Sequence, residues 1–239
     1  MIRLVSFDVW DTLLSIDVML EFIAKNISYI TGKDLDFTLA TMYTVRRRIK
    51  VLRREKKIPA DQLLSFSQDM LAEALDTDVE CIKRGIAKTV LDIPVDKLVI
   101  KDAPNILKLL KQKGYTVIVL GNVMFWPSAY TRLLLEKTGL AEYIDKQYYS
   151  DEIKYYKPLK EAFLKPLNEF KVKTEEAIHV GDSLKEDYEG AIEAGLYAAL
   201  INKNIDKEYV VSSRKGFVIK SISYLAKVIE LINSRDKQE

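Results

Sequence analysis

The chain has one cysteine, nine glycines and six prolines in 239 residues, and its charges nearly balance at a formal net +2. The lone Cys81 excludes an intrachain disulfide and a metal cluster built on cysteines. The near-zero net charge gives no general electrostatic reason to bind nucleic acid. The longest apolar stretch, near Thr116–Trp126, is far too short to cross a bilayer. We therefore expect neither a nucleic-acid partner nor a membrane partner.

The first residues lack the uninterrupted apolar segment of a secretory signal peptide, because Asp8 and Asp11 stand where it would lie. A cytoplasmic location follows as an expectation. Charged residues make up 30% of the chain, while cysteine and glutamine are scarce. That balance favours a thermophilic source. With 48% hydrophobic residues, a chain of this length can bury a sizeable core.

Short apolar strands alternate with helical patterns in residues 1–14 and 95–239. This alternation predicts an α/β fold with a Rossmann-like, doubly wound parallel sheet. The predicted strands are Leu4–Asp8, Thr116–Leu120, Lys146–Tyr149, Ala177–Val180 and Tyr197–Ile201. The predicted helices are Ala103–Lys113, Ser128–Thr138, Lys160–Phe170, Asp187–Ala194 and a closing amphipathic segment, Ser221–Ser234.

Residues 15–94 show helical periodicity and no clear strand. We therefore predict an all-helical cap domain, residues 15–94, inserted into a core domain formed by residues 1–14 and 95–239. An insertion directly after the first strand would lie over the active edge of the sheet. Its helices are expected at Asp17–Ile30, Asp36–Lys57, Ala60–Leu75 and Asp78–Val90, with helix starts at Asp36, Asp78 and Ala60.

The first predicted strand ends in a carboxylate, Asp8, and Asp11 and Thr12 follow closely. Ligands in open α/β sheets bind beyond the carboxyl ends of the strands, so chemistry is expected there. Other polar residues follow later elements of the same domain: Gly121-Asn122, Lys157 before Pro158, and Gly181-Asp182-Ser183 through Asp187.

These residues predict a charged cluster at one edge of the sheet. Clustered acids repel one another unless a cation joins them. Asp8, Asp182 and Asp187 therefore indicate a hard divalent ion with oxygen ligands, most simply Mg²⁺. Lys157 is suited to neutralise a nucleophilic carboxylate and an incoming anion.

In order and spacing, these motifs resemble the haloacid dehalogenase superfamily of hydrolases, and in particular its archaeal phosphoserine phosphatase-like members. The helical insertion is similar to the C1-type cap of that family. Asp8 matches the family nucleophile, Leu120-Gly121-Asn122 the second motif, Lys157 the third, and Gly181-Asp182-Ser183 through Asp187 the fourth.

The resemblance implies a Mg²⁺-dependent phosphatase that acts on a small phosphorylated metabolite through an aspartyl-phosphate intermediate on Asp8. Mg²⁺ would bind the side chains of Asp8 and Asp182 and the main-chain carbonyl of Trp10, with Asp187 completing or orienting that shell. Lys157 would hold both the nucleophile and the phosphoryl group, and Gly121 and Asn122 would contact the substrate.

Two positions depart from the family pattern. Family phosphatases carry a second Asp two residues after the nucleophile, as proton donor, and here that position is Trp10. Asp11 replaces it only if the chain has already turned, because in an extended strand Asp11 points away from Asp8. Gly121 stands where the family usually has Ser or Thr, which leaves either a backbone N–H or room for a bulkier group.

Three rival functions stay open. Trp10 resembles the aromatic residue of the 2-haloacid dehalogenases, which do not need Mg²⁺. A phosphonate-cleaving enzyme would need a cap lysine that forms a Schiff base, for which the cap offers Lys25, Lys50, Lys56 and Lys57. A catalytically idle binding protein is the third. The assembly is expected to be a monomer or a homodimer.

The basic run 46–57 also allows two interpretations. It could recruit an anionic substrate or a nucleic acid. We favour a solvated cap helix with one buried stripe, since Val45, Ile49 and Leu52 share a helix face. His179, the only histidine, is interpreted as a core side chain and receives no role.

Overall fold

One mixed sheet carries the polar residues singled out above. In the computed structural model, which describes residues 1–235, this sheet has seven strands in the order β3-β2-β1-β4-β5-β7-β6. They are β1 (Leu4–Phe7), β2 (Thr116–Gly121), β3 (Lys146–Tyr149), β4 (Ala177–Gly181), β5 (Tyr197–Ile201), β6 (Tyr209–Val211) and β7 (Gly216–Ile219).

The central strand β1 pairs in parallel with β2 on one side and β4 on the other. Phe7 lies opposite Val119 and Val180 in this register, so the three strands end at the same edge of the sheet. All four residues of β1 are buried, which explains an apolar run with no alternation. The predicted doubly wound α/β fold is confirmed.

Strands β6 and β7 were not predicted. β7 continues the sheet in parallel with β5, and β6 closes its edge antiparallel to β7. β6 is three residues long and largely exposed. So short a strand, flanked by charged and serine residues, leaves no clear period-2 pattern.

Four helices fall within residues 15–94, the segment predicted as the cap: α1 (Ile16–Thr31), α2 (Leu35–Arg54), α3 (Leu63–Ala74) and α4 (Val79–Asp92). Asp78 caps α4 as predicted. The predicted start of α2 at Asp36 is wrong, because the Asp34 carboxylate accepts a hydrogen bond from the Phe37 N–H and begins the helix. The predicted start at Ala60 is also wrong, since residues 59–62 form a turn.

The remaining helices flank the sheet: α5 (Val95–Leu98), α6 (Ala103–Gln112), α7 (Ser128–Lys137), α8 (Ser150–Ile153), α9 (Lys160–Phe170), α10 (Gly190–Glu193) and α11 (Leu225–Arg235). The helix predicted at Asp187–Ala194 is preceded and partly replaced by a π-helical turn, Leu184–Glu189. Within residues 1–235, no helix is long and apolar enough to span a bilayer.

A continuous apolar core joins the sheet to the cap. Phe7 and Val119 from the central strands belong to the same buried cluster as Leu20 of α1 and Ile49 of α2. A smaller cluster, which includes Ile118 and Phe163, packs against the sheet separately. The cap is thus fixed by apolar packing over the strand ends, where the polar residues lie.

Candidate active site

Asp8 stands at the end of the central strand. Its backbone N–H donates to the carbonyl of Val180 at 2.9 Å, which extends the parallel ladder by one residue. The chain then turns sharply, because the Val9 carbonyl accepts from the N–H groups of Leu13 and Leu14. The turn leaves Asp8 at the sheet edge with 13% of its side-chain surface exposed.

Asp11 sits in this turn with a left-handed backbone, φ 60°. Its carboxylate accepts a hydrogen bond from the Ile16 N–H at 3.2 Å, at the start of α1. Burial raises the pKa of Asp11 above its usual value. The strand has therefore turned before Asp11, but the structure commits one of its oxygens to the entry of the first cap helix.

Lys157 links the two buried carboxylates of the site. Its Nζ lies 2.7 Å from Asp8 Oδ1 and 2.6 Å from Asp187 Oδ1, and the residue is 1% exposed. The side-chain amide of Asn122 holds this lysine in place through its backbone: Nδ2 donates to the Lys157 carbonyl at 2.9 Å, and Oδ1 accepts from the Lys157 N–H at 2.8 Å. The end of β2 thus positions the lysine that contacts the end of β1.

Asp187 is held on both of its oxygens. Besides Lys157, its Oδ1 is 3.2 Å from His179 Nε2, and its Oδ2 accepts from the Ser183 N–H at 2.9 Å. The π-helical turn brings this carboxylate back over β4. A Cβ on Gly181 would lie 2.3 Å from Asp187 Cγ, so a glycine is required at that position.

His179 supports Asp187 from beneath and was missed as a site residue by the sequence interpretation. It is fully buried, and burial lowers its pKa to about 4, with Lys157 adding to the shift. The neutral ring donates from Nε2 to Asp187, so Nδ1 accepts from the Ser6 hydroxyl, 2.9 Å away. Its position inside an apolar strand gave no local signal of this partnership.

The remaining charges at the strand ends are unevenly compensated. Burial opposes ionisation of Asp187, but Lys157 and the His179 hydrogen bond outweigh it and hold the pKa of Asp187 below its usual value. Burial raises the pKa of Asp8 to about 6 against the pull of Lys157. Burial and the charges of Asp8 and Asp187 raise the pKa of Asp182 to about 8. For Asp8 and Asp182, the nearby positive charge therefore does not offset burial and the repulsion between the carboxylates.

That deficit fits a divalent cation. One carboxylate oxygen from each of Asp8, Asp182 and Asp187 lies within 4.8 Å of the others. Among the described residues the Asp182 carboxylate has no hydrogen-bond or ion-pair partner, whereas both oxygens of Asp187 are already engaged. Oxygen donors of this kind suit Mg²⁺, with Asp8 and Asp182 best placed to bind it directly and Asp187 to orient them.

A cleft with an empty volume of about 580 Å³, including its open mouth, lies above Asp8 and Asp182. Trp10 lines it and packs edge-to-face on Trp126, with ring centroids 5.0 Å apart. Asn122 also lines the cleft, but Asp11 and Gly121 are not among its lining residues.

Gly121 does not leave open space. A Cβ at that position would lie 2.8 Å from the ring of Tyr149, so the aromatic ring fills the volume that a Ser or Thr side chain would occupy. Of the two options that the sequence left open, room for a bulkier group at Gly121 is therefore wrong.

The cap contributes a row of cations on α2, Arg46, Lys50 and Arg53, which all line the cleft. We call it the cap cation row. Arg53 is only 2% exposed and donates to Glu186 of the π-helical turn at 2.6 Å. The basic run is thus more than a solvated helix face, although Val45, Ile49 and Leu52 are buried as predicted. Nothing in the sequence around Arg53 or Glu186 predicts that they pair.

The mostly parallel sheet, the helices that follow its first strand and the carboxylate–lysine cluster at the strand ends define an α/β protein with a hydrolase-like site. Residues 2–195 match the model of the haloacid dehalogenase-like hydrolases. The chain belongs to that family.

Two curated relatives are phosphatases. The chain is 26% identical over 138 residues to the ribulose-1,5-bisphosphate 5-phosphatase of Halopiger xanaduensis, covering 56% of each protein. It is 27% identical over 129 residues to the glyceraldehyde 3-phosphate phosphatase of Methanothermobacter thermautotrophicus, covering 52% of this chain and 54% of that protein. The chain thus spans about half the length of these curated relatives.

Solved structures share the whole fold. The HAD phosphatase of Thermococcus onnurineus has a TM-score of 0.67 at 24% identity and covers 95% of this chain and 98% of its own. YfnB of Bacillus subtilis, bound to magnesium, has a TM-score of 0.73 at 19% identity, covering 97% and 99%. L-2-haloacid dehalogenase of Xanthobacter autotrophicus has a TM-score of 0.70 at 16% identity, covering 96% and 99%. At these identities the likeness establishes the fold alone.

Proposed function

We propose that this protein is a Mg²⁺-dependent phosphatase that acts on a small phosphorylated metabolite with Asp8 as its nucleophile. The observation that carries the proposal is the pairing of Asp8 with Lys157 at 2.7 Å beside Asp182, whose carboxylate has no hydrogen-bond or ion-pair partner among the described residues. The phosphatase names of the two curated relatives support the same reaction class.

The chemistry divides into two displacements at phosphorus. An oxygen of Asp8 attacks the phosphoryl group, the ester bond breaks, and the alkoxide leaving group takes up a proton. Water then attacks the phosphorus of the aspartyl-phosphate, which releases inorganic phosphate and restores the Asp8 carboxylate. Lys157 orients Asp8 through its Oδ1. When bound, Mg²⁺ would supply positive charge for the phosphoryl oxygens.

We assign proton donation to the leaving group to Asp11, because Trp10 has no acidic proton. Its raised pKa supports this role. Because Asp11 does not line the cleft and accepts a hydrogen bond from the Ile16 N–H, its carboxyl group would have to leave that partner to reach the leaving group. A general acid contributes about 10²- to 10⁴-fold to such a step. Asp11→Asn is expected to slow alkyl phosphates far more than p-nitrophenyl phosphate, whose leaving group needs no proton. Equal slowing of both esters would rule out this role.

The basic test is phosphate release from p-nitrophenyl phosphate with and without Mg²⁺. We expect release that requires Mg²⁺ and is lost in Asp8→Asn, while Asp61→Asn, at an exposed cap position, retains it. Failure of the wild-type protein on a full panel of phosphoesters and phosphoanhydrides would refute the proposal and favour a catalytically idle binding protein.

A 2-haloacid dehalogenase is the second candidate, because Trp10 lines the cleft in place of an acid and packs on Trp126. The unpartnered Asp182 argues for a metal and against that reaction. Release of halide from 2-chloropropionate that persists in excess chelator would reverse this preference.

A phosphonate-cleaving reaction would need a cap lysine that reaches the substrate. Of the cap lysines considered, Lys50 lines the cleft, while Lys25, Lys56 and Lys57 are exposed. Borohydride reduction in the presence of phosphonoacetaldehyde would label Lys50 if the protein formed a Schiff base, and we expect no label.

A further inference from the structure

The cap cation row is arranged along one face of α2. Arg46, Lys50 and Arg53 follow one another at spacings of four and three residues, which places them on the same side of the helix. At 1.5 Å rise per residue the row extends over about 10 Å. Arg47 and Arg48 belong to the same basic run but are exposed to solvent. Only some of the basic residues in the run 46–57 therefore line the cleft.

Two members of this row form no hydrogen bond or ion pair in the described part of the chain, although carboxylates lie near enough to interact with them electrostatically. Arg53 is paired with Glu186, which Arg54 also approaches at 3.6 Å. Within residues 1–235, neither Arg46 nor Lys50 has a hydrogen-bond or ion-pair partner, although both are half-buried. Half-buried cations that line a cleft without a partner are well suited to an anionic ligand.

The row lines the same cleft as the nucleophile, and its charges act mainly on the carboxylates around Asp8. Lys50 acts electrostatically on Asp182, Asp11 and Glu186, and Arg46 acts on Asp11. Neither ranks among the main influences on Asp8, whose cationic partner is Lys157. A single tetrahedral phosphate at Asp8 is also much smaller than the length of the row.

We propose that Arg46 and Lys50 bind a second anionic group, a carboxylate or a phosphate, on the substrate whose phosphoryl group is transferred to Asp8. This rests on the proposed phosphatase function and narrows its substrate class to compounds with two anionic ends. The apolar side of the cleft, which includes Trp10, Leu20 and Trp126, would contact the carbon skeleton between them.

The test uses three probes of equal chain length: propyl phosphate, 3-(phosphonooxy)propanoate and propane-1,3-diol bisphosphate. Phosphate release by the Mg²⁺-loaded protein gives kcat/KM for each. The proposal predicts that the two-anion probes exceed propyl phosphate at least tenfold, and whichever exceeds it more identifies the second group. Arg46→Gln and Lys50→Gln should each reduce that ratio about tenfold, since each removes a charged hydrogen bond. Arg48→Gln, from the exposed part of the run, should keep the ratio.

Several outcomes would overturn the proposal. A wild-type ratio near one, or a ratio that both variants leave unchanged, would show that no second anion is bound there. An equal loss for all three probes would assign the cations to the transferred phosphoryl group. Calorimetric binding of the probes to Mg²⁺-loaded Asp8→Asn decides the same point without turnover. If no probe is hydrolysed but the two-anion probes still bind more tightly than propyl phosphate, the proposed phosphatase function is wrong and the second anion site is supported.

Discussion

The two sides of the cleft are built differently. The site floor, formed by Asp8, Lys157, Asp182 and Asp187, lies at the ends of the strands, and hydrogen bonds from Lys157 join Asp8 to Asp187. The cap cation row of α2 faces it with two cations that have no partner among the described residues. Groups with fixed partners can position a reacting atom, whereas groups without partners are available to a ligand.

This difference assigns the chemical step to the site floor and the choice of substrate to the cap cation row. Removing Lys157 or Asp187 should damage stability, and removing any member of the floor should damage chemistry for every substrate. Removing Arg46 or Lys50 should change which substrate is preferred. Arg53 belongs to both sides, because it lies on the cap and pairs with Glu186 of the core.

The largest effect is expected from Lys157→Met. It leaves Asp8 and Asp187 buried without their cation, which should cost about 3–5 kcal/mol of unfolding free energy and nearly all phosphatase activity. Urea unfolding without Mg²⁺ measures the first and phosphate release the second. Lys160→Met, at an exposed position nearby, is the control. Near-wild-type stability for Lys157→Met would mean that the floor is not held together in this way.

Arg53→Met should cost somewhat less, about 3 kcal/mol, because Arg54 is near enough to offset part of the charge left on Glu186. The double variant Arg53→Met/Glu186→Leu should recover much of that loss, since it leaves no buried unpaired carboxylate. Arg54→Met, which removes a 39%-exposed partner, should cost less than about 1 kcal/mol. If the double variant were no more stable than Arg53→Met, this pair would not connect cap and core energetically.

His179→Leu tests whether the hydrogen bond from His179 to Asp187 contributes to Mg²⁺ binding. It removes the donor to Asp187 Oδ1, so the Mg²⁺ concentration needed for half-maximal activity should rise about 10- to 100-fold. Arg46→Gln should leave that concentration unchanged. Reduced activity of His179→Leu with an unaltered Mg²⁺ requirement would indicate a packing role only.

The smallest effect is a pH dependence of metal binding. Mg²⁺ binds ionised carboxylates, and the pKa of Asp182 is raised to about 8 and that of Asp8 to about 6. A raised pKa means more protonation at neutral pH, so the apparent Mg²⁺ affinity should fall as pH decreases, by up to about tenfold per unit below pH 8. Calorimetry at pH 7 in two buffers of different ionisation enthalpy should show proton release. An enthalpy independent of the buffer would contradict these pKa directions.

The residues of the site floor could be predicted from the sequence, because each of them lies in a recognisable motif after a predicted strand or near the start of a predicted helix. The sheet order then brings the end of β1, with Asp8, beside the end of β4, which Asp182 follows. The role of the cap cation row was harder to predict from the sequence. Arg53 and Glu186 are far apart in the sequence, and the apolar stripe of α2 masked the parallel stripe of cations at the same spacing. His179 looked like a core residue because it is one, and its role depends on the π-helical turn that brings Asp187 over it.

The central claim is that Asp8 becomes phosphorylated during turnover. Rapid acid quenching with a ³²P-labelled substrate, followed by peptide mapping, measures it directly. We predict a transient hydroxylamine-sensitive label on the peptide that contains Asp8, formed in the presence of Mg²⁺ and absent from Asp8→Asn. Turnover without any protein-bound phosphate, or with the label on another residue, would contradict the account.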